Sequence, residues 1–249
     1  MFKKLIAIMA ALTISSAALA NDDGWKGEVA INAANTTGNT DTTDIGGSVK
    51  IEKQADVWRH KVDGLVDYGE TSGENTRSRW SLGYQIDRDI NERLYVYGNA
   101  DYYQDDFGAY KDGYFVGGGL GYKAVLPEPL SWSLEGGAGY RSQKLRLGFA
   151  SERSIALDGA ASEREEGIAL RGFSDLDYAL NDKVSFFNDT EIVWSSDDTY
   201  IWNEVGITAQ LMGNLAARAS FRVDHHTDVE PEFENTDTAT RFGVVYTMK

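Results

Sequence analysis

The chain holds three histidines, His60, His225 and His226. The adjacent pair opens an acidic stretch with Asp224, Asp228, Glu230 and Glu232, a donor set that could hold a divalent cation. Neighbouring residues of a regular strand point to opposite faces, so both rings cannot reach one ion from strand geometry. A solvated loop edge is the simpler reading. A hydrolase of the Ser/His/Asp or Ser/His/Asn kind would need a serine placed near His60 or His225, and no G-x-S-x-G occurs. Asp105, Asp106, Asp197, Asp198 and Glu230 could bind Ca²⁺ or Mg²⁺ loosely, or simply keep loops soluble. The expectation is a protein with no catalytic residues, no bound metal and no cofactor.

A larger set of charges recurs at alternate positions. Lys123, Glu135, Arg141, Arg171, Asp189, Glu204, Arg218, Arg222 and Arg241 are its central members, and Lys26, Glu28, Lys50, Asp63, Asp101 and Asp175 extend it. Both signs are present. Such a set can form a lattice of ion pairs filling a narrow interior, or line a water-filled pore and select solutes. The filled or narrow interior is the favoured reading.

The elements that carry these charges are strands. Trp80, Leu82, Tyr84 and Ile86 alternate with Ser81, Gly83, Gln85 and Asp87, and Leu130, Trp132 and Leu134 alternate with Ser131, Ser133 and Glu135. This is the period of a strand with one apolar face. Twelve segments follow it, at 25–35, 44–54, 57–69, 76–87, 93–104, 113–124, 130–142, 167–180, 183–195, 200–211, 215–226 and 239–248. Most are about twice the usual 5–6 residues of a soluble strand, and they match the 9–11 of a tilted membrane-crossing strand. The expected fold is all-β, an antiparallel transmembrane barrel of about 12 strands, an even number as in bacterial outer membranes.

The connections agree. The odd ones, 36–43, 70–75, 105–112, 143–166, 196–199 and 227–238, are mostly long and polar, whereas the even ones, such as Ala55-Asp56 and Asn181-Asp182, are short. That predicts outer loops alternating with periplasmic turns, both termini being periplasmic. The segment Ser151 to Glu166 is the best candidate for a plug or a surface contact. Trp25, Trp58, Trp80, Trp132, Trp194 and Trp202 fall near segment ends more often than centres, as an aromatic girdle requires. Gly117, Gly119, Gly121, Gly137 and Gly139 share the inward parity, where they relieve crowding or admit a bulky side chain.

Composition narrows the class. A mean hydropathy of -0.40 excludes a polytopic helical membrane protein. The absence of cysteine excludes a disulfide framework. A net charge of -15 argues against nucleic acid as a partner. Residues 1–20 carry a basic start (Lys3, Lys4), an apolar run and an Ala18-Leu19-Ala20 cleavage signature, and so are expected to be a cleaved signal peptide. Residues 21–249 then form one barrel domain in the outer membrane of a Gram-negative bacterium. Its expected partners are outer-membrane lipid, lipopolysaccharide and the barrel-assembly machinery.

The stretch Gly24-Trp25-Lys26-Gly27-Glu28-Val29 is followed by Thr37-Gly38-Asn39-Thr40-Asp41, then by Arg93-Leu94-Tyr95-Val96-Tyr97-Gly98 ahead of Asp105-Asp106-Phe107, and by Gly119-Leu120-Gly121-Tyr122. In this order the elements resemble the salt-induced outer-membrane protein family of the YdiY type (domain of unknown function 481). The resemblance covers most of the chain and implies an outer-membrane barrel of unassigned activity, without catalytic residues to carry over. The envelope or salt-stress role it suggests stands beside two others, a porin-like diffusion channel for small solutes and an outer-membrane hydrolase. One departure is the end of the chain. Outer-membrane barrels usually finish on an aromatic residue, and this one finishes Tyr246-Thr247-Met248-Lys249.

Overall fold

The structure, a computed structural model, describes residues 24–37, 42–71, 73–124, 127–148, 151–157 and 161–248. The expected signal segment 1–20 lies outside the described residues. Twelve strands close into one ring: β1 (Trp25–Thr37), β2 (Thr42–Ala55), β3 (Trp58–Thr71), β4 (Glu74–Asp89), β5 (Leu94–Asp105), β6 (Tyr110–Ala124), β7 (Leu130–Arg146), β8 (Ser162–Asn181), β9 (Val184–Trp194), β10 (Thr199–Met212), β11 (Leu215–His226) and β12 (Thr236–Met248). Each pairs with its sequence neighbours in antiparallel fashion. The ring is sealed by β1 on β12, from Gly27 opposite Met248 to Thr37 opposite Thr238. Closure leaves no strand edge, which hydrocarbon requires because it offers no partner for a free N–H or C=O.

The apolar parity faces outward. Leu82, Leu120, Ile168 and Phe242 are each more than half exposed. An apolar belt this continuous is not stable against water but suits lipid. On β12, Phe242, Val244 and Tyr246 all stand on this outer face, so the last strand presents an apolar row although the chain does not end on an aromatic residue.

Three expectations need correction. Trp202 is not part of the girdle. Its register partners Glu191 and Asp224 place it on the inward parity of β10, where its indole Nε1 donates to Glu191 at 3.1 Å and the Arg222 guanidinium lies 4.3 Å from its ring. Nearness to a strand end says nothing about parity, and parity decides the face. The 143–166 connection is also shorter than expected, because β7 runs to Arg146 and β8 starts at Ser162. A short helix, α1 (Glu152–Ala156), lies between them. Of the odd connections, only this one and 227–235 remain long. Finally, His225 and His226 belong to β11 rather than to a loop.

Candidate functional site

Inside the barrel, side chains of one parity meet across several strands. Glu135 on β7 is the hub of the half nearer the short turns. It accepts hydrogen bonds from Arg171 Nη1, Tyr95 Oη and Gln85 Nε2, each at 2.8 Å. Arg171 also pairs with Glu191 at 3.1 Å. Lys123 binds Asp89 at 2.9 Å, and Arg59 and Lys61 converge on the buried Asp87. On the other side, Arg218 forks onto both oxygens of Glu28, at 2.6 and 2.8 Å, with Lys50 3.5 Å from Asp189. Bidentate forks of this kind fix orientation as well as charge.

Aromatic rings also occupy the interior, which charge patterning did not reveal. A β-carbon on Gly121 would overlap the Tyr95 ring, so that ring lies flat on bare glycine backbone. At Gly119 a β-carbon would strike the Gly136 carbonyl of the neighbouring strand, a clash that no side-chain motion relieves. The glycines on β6 and β7 thus form a trench that lets aromatic rings pack inward without narrowing the barrel further.

Between these networks lies a cavity of about 1290 Å³ that reaches Trp25 and Met248 at the rim of the short turns and Arg241 and Trp202 deeper in. A side recess of about 280 Å³ is walled by Glu28, Lys50, Asp175, Asp177, Asp189 and Arg218.

The outer half is occupied. On β11, Arg222 grips Asp224 at 2.8 Å, and Arg79 and Tyr200 share that carboxylate. Arg222 also lies 3.8 Å from Glu204. Arg241 reaches Asp67 at 3.3 Å. The mouth is fastened by Asp198, from the β9–β10 connection, which is 2% exposed. One of its oxygens accepts from Arg141 at 3.0 Å and lies 2.6 Å from His226 Nδ1. The other accepts the backbone N–H groups of Thr227 and Asp228, at 2.9 and 3.2 Å. The imidazole sits between Tyr110 and Tyr200, with ring centroids 4.5 and 4.7 Å away. The connection 227–235 crosses to the opposite wall, where Val229 and Phe233 pack on Ala109, Tyr110, Leu145 and Leu147 and the Tyr110 hydroxyl donates to the Asp228 carbonyl at 2.7 Å. The stretch singled out by its length divides between the helix α1 (Glu152–Ala156) and the start of β8 at Ser162.

Asp198 has a defined electrostatic consequence. Burial alone would raise its carboxyl pKa, but the bond and charge of His226, the Arg141 charge and the Asp228 N–H together hold it well below the usual carboxylate range. A carboxyl depressed in the folded state adds stability that is complete above the unfolded value of about 4 and drains away as pH falls below it. The stability difference between wild type and Asp198→Asn is therefore expected to hold steady from pH 6 to 5 and shrink steadily toward pH 2, as read by urea unfolding in lipid vesicles. A difference that grows on acidification would contradict this.

The expected alternative sites are engaged elsewhere. His60 Nδ1 lies 2.8 Å from the Tyr84 hydroxyl, and His225 Nδ1 2.8 Å from Thr236 Oγ1. Asp105 accepts the backbone N–H groups of Phe107 and Gly108 in its own turn, and Asp106 accepts from Ser78 Oγ at 2.8 Å. Among the described residues no group of three His, Asp or Glu side chains is arranged to hold a metal ion.

A family described as "Protein of unknown function, DUF481" matches residues 29–248, nearly the whole ring from β1 to β12. The chain belongs to the DUF481 family. Comparison with curated proteins gives no match. Among solved structures, this DUF481 barrel is similar to the NanC porin at 12% identity, over 88% of this chain and 98% of that one, with a TM-score of 0.55. It is also similar to the translocator domain of the autotransporter NalP from Neisseria meningitidis at 16% identity, over 98% and 96%, with a TM-score of 0.51. Likeness at this level concerns the fold, and the fold is that of an outer-membrane β-barrel.

Proposed function

We propose that this DUF481 protein is an envelope barrel of structural or stress-related role, exported by the signal in residues 1–20 and inserted in the outer membrane among lipid and lipopolysaccharide by the barrel-assembly machinery. Its lumen is open toward the periplasm and held shut at the outer mouth. The observation that carries the reading is the clasp: Asp198 ties β7, β11 and the 227–235 connection together, and Val229 and Phe233 seat that connection on the far wall. A barrel of twelve strands is narrower than the 16–18-stranded porins that leave an aqueous channel, so side chains and one loop suffice to close it. We propose no catalytic role, since the three histidines are held by Tyr84, Thr236 and Asp198.

The charged cavity beneath the clasp supports a second reading, a gated channel for small solutes. Planar-bilayer recording separates the two. The wild-type barrel is expected to give no conductance steps, and a variant with residues 229–234 replaced by two glycines is expected to give them. If charge reversal at Arg218 or Arg222 then shifts ion selectivity, the lumen is a filter. Regular steps from the wild type would refute the closed reading.

A further inference from the structure

The outward face is apolar around most of the ring, and the described residues of β8, β9 and β10 carry a cluster of polar side chains on it. On β8, β9 and β10 the outward parity carries Ser174, Asn188, Thr190 and Asn203, which the register sets side by side: Ser174 opposite Thr190, Thr190 opposite Asn203, and Asn188 opposite Val205. The patch lies between the aromatic belts, because Phe186 stands two residues before Asn188 and Trp194 four residues after Thr190 on the same parity. Elsewhere that level is held by side chains such as Val66, Leu82, Val116 and Val244.

Polar side chains between the belts are costly unless something answers them, and where they persist they mark function or contact. Part of the patch answers itself. Trp132 Nε1 donates to Ser174 Oγ at 3.0 Å. Asn203 Nδ2 donates to Thr190 Oγ1 at 2.7 Å and to the Asp189 carbonyl at 3.1 Å, and Thr190 Oγ1 donates to Asn188 Oδ1 at 3.4 Å. This relay has two open ends. Among the described residues, Asn188 Nδ2 has no acceptor and Asn203 Oδ1 has no donor. Beside the patch, a β-carbon on Gly172 or Gly136, opposite each other in register, would meet nothing within 4 Å, so a partner surface can approach closely there.

We propose that this face binds a second copy of the same chain about a two-fold axis. The relay is polar, with a free donor at one end and a free acceptor at the other. Rotation by half a turn about an axis between Asn188 and Asn203 lays the donor of each copy over the acceptor of its partner and satisfies both pairs at once. A two-fold contact is self-complementary in this way, with each residue meeting its counterpart's neighbour. The match depends on the amide orientations: the Asp189 carbonyl can only accept, so it fixes Asn203 with Nδ2 turned toward the strand and Oδ1 as the free end. Lipid tails offer neither group. The inference rests on the barrel being membrane-embedded but not on whether its lumen is shut.

The chain has no cysteine, so single introduced cysteines report without background. Val205 sits diagonally from Thr190 in the patch, close to the proposed axis, and its replacement leaves the relay intact. With the barrel in native outer-membrane vesicles, Val205→Cys and a short bis-maleimide are expected to give a cross-linked species of twice the chain mass. Leu82→Cys on β4, across the ring, gives none. Adding Asn188→Leu and Asn203→Leu is expected to lower the Val205→Cys product severalfold while the barrel still folds, read as heat-modifiable gel mobility, since leucine suits lipid. The native mass of the unmodified barrel in nanodiscs provides a second measurement, expected to be that of a dimer. A monomer mass, equal cross-linking at Val205→Cys and Leu82→Cys, or an adduct to a different protein would overturn the proposal.

Discussion

Asp198→Ala is expected to unfasten the outer mouth and produce conductance steps where the wild type is silent. The change removes a carboxylate that is fully buried and leaves the Arg141 guanidinium, 8% exposed, without its counter-charge. Removing one member of a buried pair typically costs about 3–5 kcal/mol, because the remaining charge stays desolvated. The backbone N–H groups of Thr227 and Asp228 lose the Asp198 carboxylate as an acceptor as well, which leaves the 227–235 connection to contacts such as the packing of Val229 and Phe233 and the Tyr110 hydroxyl on the Asp228 carbonyl. Two readouts follow: bilayer conductance and the temperature at which the folded gel band disappears. Asp198→Asn keeps the shape and an acceptor for the two N–H groups, so its effect is smaller in both. A silent and fully stable Asp198→Ala barrel would show that the mouth is closed by packing alone.

The second large effect lies in the glycine trench. Gly121→Ala is expected to cost about 3 kcal/mol, at the upper end for overpacking, since the Tyr95 ring must leave its seat and take its hydrogen bond to Glu135 with it. The loss would appear as a lower unfolding midpoint in urea and a larger unfolded fraction after refolding into vesicles. Tyr95→Ala removes the obstructing ring. The double variant should therefore be more stable than the sum of the two single losses implies, with a coupling of about 1–3 kcal/mol, as for residues in contact. Gly136→Ala on the outer face serves as the comparison. Nothing stands within 4 Å of the added methyl, and lower entropy of the unfolded chain should make it neutral or slightly stabilising. If Gly121→Ala and Tyr95→Ala simply add, Tyr95 does not rest on Gly121.

The expected segments fall on the observed strands one for one, and the reason is local. Parity along a strand is set by two dihedrals per residue, so Trp80, Leu82 and Tyr84 reveal their common face without knowledge of any partner. Where the sequence reading failed, the missing information was not local. Trp202 was placed by its nearness to a segment end, although Tyr200, Trp202 and Glu204 share the parity of charged residues. The strand limits around 143–166 depend on how far β7 and β8 keep pairing beyond the membrane. Flat aromatic rings on glycine backbone had a signal in the Gly117-Gly119-Gly121 spacing, but not in which rings would lie there.

The sequence by itself determined the class of this protein: a chain of long alternating segments, without cysteine or long apolar helices, can hide its apolar side from water only by turning it toward lipid, and can satisfy its backbone there only by closing. The tertiary structure alone decided what the interior does. Asp198, Arg141, His226 and Phe233 come from three separate parts of the chain, and their meeting depends on strand tilt, ring closure and the inward fold of one loop. These are global quantities, fixed by all twelve pairings together, and no window of residues contains them.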